Sequence, residues 1–237
     1  MKDSKEYAKK IQKLYRTLKS NYDKPEKIEH DDPTDALVYA IVSEKLSESQ
    51  SQSIMKKFSN YFIDVNDLRV SLAEEIVEVI GDDNDDTRGV ADNLSKILAT
   101  VFERYNGVSL QNLKKTGKRP AKQALEKIDG MNDFIVDYVM LTSLAGHAIP
   151  LTETMISYLK NKGLVHPDAD IQTISGFLTR QIAAKNGFEF YMLLRQQAES
   201  SVTKKTKKKT TKRKTKKTTK KKTKTKKKTT TKKKTTK

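Results

Sequence analysis

Along residues 1–202 the apolar positions recur at three- and four-residue intervals, and no segment alternates strictly, so the chain reads as all-α. Tyr7, Ile11, Leu14, Tyr15, Leu18 and Tyr22 lay one stripe along an N-terminal helix, with Pro25 in the linker beyond it. Asp32 and Pro33 supply an N-cap and a first-turn proline, and the run from Ala36 to Val42 is apolar on every side, the pattern of a central helix. A third helix is expected from Ser49 to Phe62. Ser71 and Glu74 form a capping box ahead of Ile76, Val77 and Ile80, which gives a short fourth. Leu94, Ile97, Leu98, Val101, Phe102 and Tyr105 make the apolar face of a fifth. Further helices are expected over Phe134–Leu144, Thr152–Lys162, Asp170–Lys185 with Asp170 as cap, and Phe188–Gln197.

The stretch Leu125–Val139, LEKIDGMNDFIVDYV, has the character of two helices joined by a tight turn. Gly130 supplies a positive φ, Asn132 suits a second left-handed position, and Asp133 can cap the second helix. The backbone amides of Ile128 to Asn132 would then form a small nest of donors suited to a phosphate oxygen, with Gly130, Met131 and Asn132 as the contact residues.

The segment Ile128–Phe134, IDGMNDF, resembles the helix-hairpin-helix turn of the endonuclease III superfamily of DNA glycosylases, which runs apolar, Pro, Gly, apolar, Gly, then a catalytic lysine two residues on. Gly130 matches the first glycine; Asn132 replaces the second and Phe134 takes the lysine position. Ala148–Val165, AIPLTETMISYLKNKGLV, resembles the segment that carries the family's catalytic aspartate, and Thr152 stands at that position. Ala36–Gln50, ALVYAIVSEKLSESQ, resembles the family's early buried helix, with Lys45 where a glutamine would wedge into the duplex. The resemblance implies a two-lobed helical domain on a DNA glycosylase scaffold. In the family the lysine forms a Schiff base with the sugar and the aspartate is needed for base removal. Phe134 cannot be a nucleophile, and a threonine hydroxyl cannot stabilise an oxocarbenium-like transition state as a carboxylate does. Glu153 is the fallback carboxylate, although one helical step turns it by about 100° from its neighbour.

Charge changes the picture at one end only. Residues 203–237 comprise 20 Lys, 1 Arg and 14 Thr, a charge of +21, and leave residues 1–202 with 27 basic against 30 acidic residues. The overall +18 therefore belongs to an appendage. With no apolar residue to form a core, the tail is expected to be disordered, and its composition resembles the C-terminal tails of linker histones and their bacterial counterparts. Its expected partner is the phosphate backbone of DNA, with RNA as the alternative polyanion; Lys204, Lys205, Lys207, Lys208, Lys209, Lys212, Arg213 and Lys214 lead it. Lysine rather than arginine points to charge neutralisation, not base reading. The run LKKTGKRPAK ahead of the hairpin adds Lys118, Arg119 and Lys122, either as a phosphate-facing patch or as a charged linker.

Cysteine is absent, which excludes disulfides and the four-cysteine iron–sulfur cluster that many members of the family carry. The acidic loop GDDNDDTRG does not suit calcium: counted from Asp82, Thr87 falls at the turn glycine and Asn93 at the bidentate glutamate. It reads as a solvated loop that caps the next helix. His30, His147 and His166 are isolated, and Tyr61, Tyr105 and Tyr138 fit core stripes. No metal or cofactor is expected. No apolar run is long enough for a bilayer, so the expected setting is intracellular, in the cytoplasm and nucleoid or in a nucleus.

The chain thus divides into an N-terminal helix and linker (1–30), a helical body (31–202) and the tail (203–237). The expected function is non-specific DNA binding on a glycosylase scaffold that lacks its usual catalytic residues, in nucleoid or chromatin organisation or in repair. Two alternatives stay open. One is a working, monofunctional glycosylase that uses a non-standard carboxylate; the other is a protein-interaction module tethered to DNA or RNA by the tail.

Overall fold

A computed structural model describes residues 4–28 and 30–202, and every regular element among them is helical. The tail, with Lys204, Lys205, Lys207, Lys208, Lys209, Lys212, Arg213 and Lys214 and its expected disorder, lies outside the described residues. In chain order the helices are α1 (Ser4–Asn21), α2 (Pro33–Lys45), α3 (Glu48–Tyr61), α4 (Val65–Val70), α5 (Ala73–Ile80), α6 (Asp85–Tyr105), α7 (Lys118–Glu126), α8 (Asp133–Thr142), α9 (Glu153–Asn161), α10 (Ile171–Gln181) and α11 (187–202). Short 3₁₀ turns, Gln111–Lys115 and Ala184–Asn186, precede α7 and α11. No helix among the described residues is long and apolar enough to cross a membrane.

The centre is the pair α2 and α8. Every α2 residue from Ala36 to Ser43 is buried, and so is nearly all of α8, because neither helix has a polar face to turn to solvent. Asp32 caps α2 by accepting from the Thr34 amide (2.8 Å), and the Thr34 hydroxyl in turn accepts from the Leu110 amide (2.9 Å), which ties the first 3₁₀ turn to the helix. Helices α3 to α6 pack on one side of α2. On the other, α1 lies along α10 and α11: Gln12 donates to the Gln181 carbonyl, Tyr15 to Glu189 and Tyr22 to Gln197. One continuous apolar core joins both sides.

Three details depart from the pattern reading. An extra helix, α4, occupies Val65–Val70, too short for its periodicity to register in sequence; Asp64 caps it by accepting from the Asp67 amide. The Ser71 and Glu74 capping box does not form. Ser71 closes α4, its hydroxyl donating to the Asp67 carbonyl (3.0 Å), and Leu72 stands at the N-cap of α5 with no side-chain bond. Tyr61 is 56% exposed rather than in the core and donates its hydroxyl to Glu75.

The acidic loop caps α6 as expected, through a specific residue. Asn84 accepts from the Thr87 amide and Thr87 returns an acceptor to the Asn84 amide, while Arg88 holds Asp83 with two N–H donors at 2.6 and 2.8 Å.

Candidate nucleic-acid interface

The hairpin is present. Helix α7 ends at Glu126 with Lys127 as its C-cap, the Ile128 amide donates to Leu125 and the Met131 amide to Ile128, and Gly130 takes φ +91°. A Cβ at Gly130 would lie 2.9 Å from Cγ1 of Ile97 on α6, so the glycine is required by the hairpin's own seat on the body as well as by the turn. Asn132 departs from expectation. Its backbone is extended (φ −125°), and it is itself the N-cap, accepting from the Ile135 amide at 3.0 Å; Asp133 is the first helical residue. A single left-handed residue suffices because the cap residue must be extended for its side chain to reach the third amide.

The nest of donors is accordingly smaller than the sequence suggested. The amides of Ile128 and Met131 are used within the turn, that of Gly130 is drawn to the Asp129 carboxyl, and that of Ile135 is taken by the Asn132 cap. The turn is also not basic. Asp129, at its tip, pairs with Lys96 (3.0 Å), and that hydrogen-bonded ammonium holds its carboxyl below the usual range. Gly130→Val should therefore destabilise the fold itself by about 2 kcal/mol, through strain at positive φ and overlap with Ile97. Urea unfolding of the variant checks it, and an unchanged midpoint would mean that the turn relaxes freely.

Helix α8 ends abruptly, which sets the path to the next site segment. Ala145 is left-handed (φ 49°), the Gly146 amide donates back to Met140, and a Cβ on Gly146 would fall 2.8 Å from the Met140 side chain. The chain then runs without regular structure through His147–Leu151 to Thr152, the N-cap of α9, back beside the start of α8.

Lys45, Asn132, Phe134, Thr152 and Glu153 meet around one cavity of about 320 Å³, completed by Glu44, Asp86, Asp133, Leu151, Thr154 and Ile171. Phe134 is 5% exposed and stacks on Tyr138 (centroids 6.2 Å apart), which stacks on Tyr39 (5.4 Å) and meets Tyr191 edge-on. It is the end of an aromatic column, not a group free to react. Thr152 is the N-cap of α9: its Oγ1 accepts from the Met155 amide, and the side chain is buried. Glu153 is 88% exposed and lies 4.0 Å from Lys45, which also sits 4.0 Å from Glu44. Lys45 thus bridges the two sides of the cavity mouth.

The basic run is not brought to this cavity. Lys118 and Arg119 stand on the exposed first turn of α7, at the end of the helix away from the turn, and Lys122 is 3.3 Å from the buried carboxyl of Asp137, which also accepts from Ser175. Burial pushes Asp137 above the usual carboxylate range, and Lys122 works against that shift. Lys122 is therefore a counter-ion within a second cavity of about 540 Å³ between α7, α8 and α10, a role that sequence spacing gave no reason to assign.

Glu44, Asp86 and Ile171 were not singled out from sequence, and Asp133 was read only as a helix cap, the role that Asn132 takes. Three of the cavity acids do share a visible signal: Asp86, Asp133 and Glu153 each fall in the first turn of a helix, where the dipole favours a carboxylate. That three such turns converge is a property of the packing.

No protein-family model and no curated protein matches the sequence. Solved structures do match in three dimensions. An endonuclease III trapped as a covalent intermediate with DNA aligns over 82% of this chain and 85% of its own at 15% identity and TM-score 0.62. The Clostridium acetobutylicum 8-oxoguanine glycosylase/lyase in complex with double-stranded DNA aligns over 84% and 71% at 16% identity and TM-score 0.63. The H. pylori 3-methyladenine DNA glycosylase bound to 1,N6-ethenoadenine aligns over 84% and 98% at 14% identity and TM-score 0.58. The body of this chain has the all-helical fold of the helix-hairpin-helix DNA glycosylases.

Proposed function

We propose that this protein binds duplex DNA without sequence preference, with the lysine tail supplying most of the affinity and the glycosylase-like body acting as a docking platform that does no base chemistry. One observation carries the absence of chemistry. The two positions where the resemblance puts the nucleophile and the essential carboxylate hold a buried phenyl ring in an aromatic column and a threonine occupied with capping a helix. Neither side chain can take up a proton or form an imine. DNA as the partner is supported by the tail's charge of +21 and by the similar structures solved with DNA.

The contact made by Glu199 also supports joint use of body and tail. Glu199, near the end of α11, accepts from the Glu48 amide (3.1 Å) at the joint between α2 and α3, three residues from Lys45 on the cavity wall.

A second reading, an active glycosylase that uses Glu153, rests on that residue's place in the cavity. Its solvent exposure and its lysine partner weigh against it, because a carboxylate acting on a developing cation needs a dry, unpaired setting. The experiment is incubation with duplexes carrying uracil, oxidised pyrimidine, 8-oxoguanine or alkylated purine. The expected result is no free base, no nick and no borohydride-trapped adduct, while the same duplexes are retained in a binding assay. Base release abolished by Glu153→Gln would replace this proposal with the second reading.

A further inference from the structure

Helices α2, α6, α8 and α9 each send a carboxylate to the cavity at the front of the hairpin: Glu44, Asp86, Asp133 and Glu153. Among the described residues Lys45 is the only cation in the lining, and it is shared between Glu44 and Glu153. The first turns of α6, α8 and α9 contribute about half a positive charge each, too little to offset the acids. The lining is therefore electronegative, a poor surface for a phosphate. Its lining also includes apolar side chains, the buried Phe134 and Leu151 and the exposed Ile171. Apolar side chains beside carboxylates suit an aliphatic stem that ends in a cation.

We infer that a lysine of the chain's own tail occupies this cavity when no DNA is bound, which makes the tail a ligand of the body as well as of nucleic acid. The occupant is fixed by position and by charge. Glu199, four residues before residue 203, is bound to Glu48 at the α2–α3 joint, and Lys45 and Glu44 stand three and four residues before that contact. Eight further residues reach at most about 27 Å, ample to span the mouth. Residues 203–237 contain only Lys, Arg and Thr, so nearly every register offers a suitable side chain. A weak, local contact of this kind competes with DNA without blocking it, because a duplex carries a much denser line of charge. The inference does not require that the body binds DNA, only that the tail is free to fold back.

The absence of cysteine permits a single spin label on the full chain. With a nitroxide on Thr210→Cys, the NMR signals of Leu151, Thr152, Thr154 and Ile171 should lose most of their intensity at low salt. They should recover when salt is raised to where the screening length is about 3 Å, near 1 M, and when duplex is added. The variant Glu44→Gln/Asp133→Asn/Glu153→Gln, which keeps the shape of each side chain, should show no such loss. Broadening centred instead on Asp82 and Asp83, broadening unchanged in the triple variant, or broadening only in mixtures of labelled and unlabelled copies would overturn the inference. Failure of the full chain to bind duplex, with the salt-sensitive broadening intact, would remove the DNA-binding proposal and leave this one standing.

Discussion

Removal of residues 203–237 should abolish most of the salt dependence of DNA binding and most of the affinity at low salt. The apolar core lies wholly within the described residues and the removed segment has no apolar side chain, so the body should fold unaided. With 27 basic against 30 acidic residues, residues 1–202 have few cations to spare, and Lys45, Lys96 and Lys122 are already paired with carboxylates. Each phosphate neutralised contributes about 0.9 to the slope of log K against log salt. If the tail engages even eight phosphates, the full chain has a slope near −7 and loses about 10³–10⁵ in affinity between 50 and 200 mM salt. The truncated body should show a slope of roughly −1 to −2, set by the few phosphates its unpaired lysines and arginines can reach. The measurement is a salt titration of both proteins on random-sequence duplex. Equal slopes would mean that the tail is not the binding element.

Much of the fold is legible in particular residues. Asp32 with Pro33 marks the start of α2, the uninterrupted run to Val42 marks it as central, and Gly130 marks the turn of the hairpin. These are local signals, each requiring only backbone geometry or the period of one helix. The features hidden in sequence depend on how helices meet. The need for glycine at position 130 comes partly from Ile97 on a different helix, and no local pattern records that. Placing Lys122 in a phosphate-facing patch leaves out Asp137, because one turn of α7 faces the flank of α8 only after the hairpin closes. The site is legible in its departures: the resemblance puts Phe134 and Thr152 where a lysine and an aspartate are expected, and the surroundings give each side chain a structural occupation. The acidity of the cavity is not legible, since its four carboxylates come from four helices.

Arg195 is equally hidden, a single cation in the apolar run FYMLLRQQ, and its loss should be the most damaging point change in the body. The side chain is 1% exposed. Nη2 donates to the Ser43 and Leu46 carbonyls, both at 2.8 Å, Nη1 to the Tyr191 hydroxyl at 2.7 Å, and Nε to Glu199 at 3.0 Å, with Glu48 at 3.3 Å. Ser43 and Leu46 lie at the C-terminal end of α2, whose last carbonyls have no partner within the helix and sit here in the dry interior. The guanidinium thus caps α2, pairs with two carboxylates and joins α11 to the α2–α3 corner in one planar group. Arg195→Ala leaves two carbonyls, a phenol and two carboxylates without that partner, and breaking a buried charge network in this way costs about 3–5 kcal/mol. For a domain of this size that lowers the melting temperature by about 10 °C. Arg195→Lys keeps the charge but has one nitrogen where the guanidinium presents a fork of N–H donors, so it should recover only part of the loss. Because Glu199 and Lys45 flank the same corner, both variants should also loosen the root of the tail. Thermal and urea unfolding of the two variants beside the parent are the test: a loss below about 1 kcal/mol for Arg195→Ala, the level of a surface change, would show that the corner is held by its apolar contacts alone.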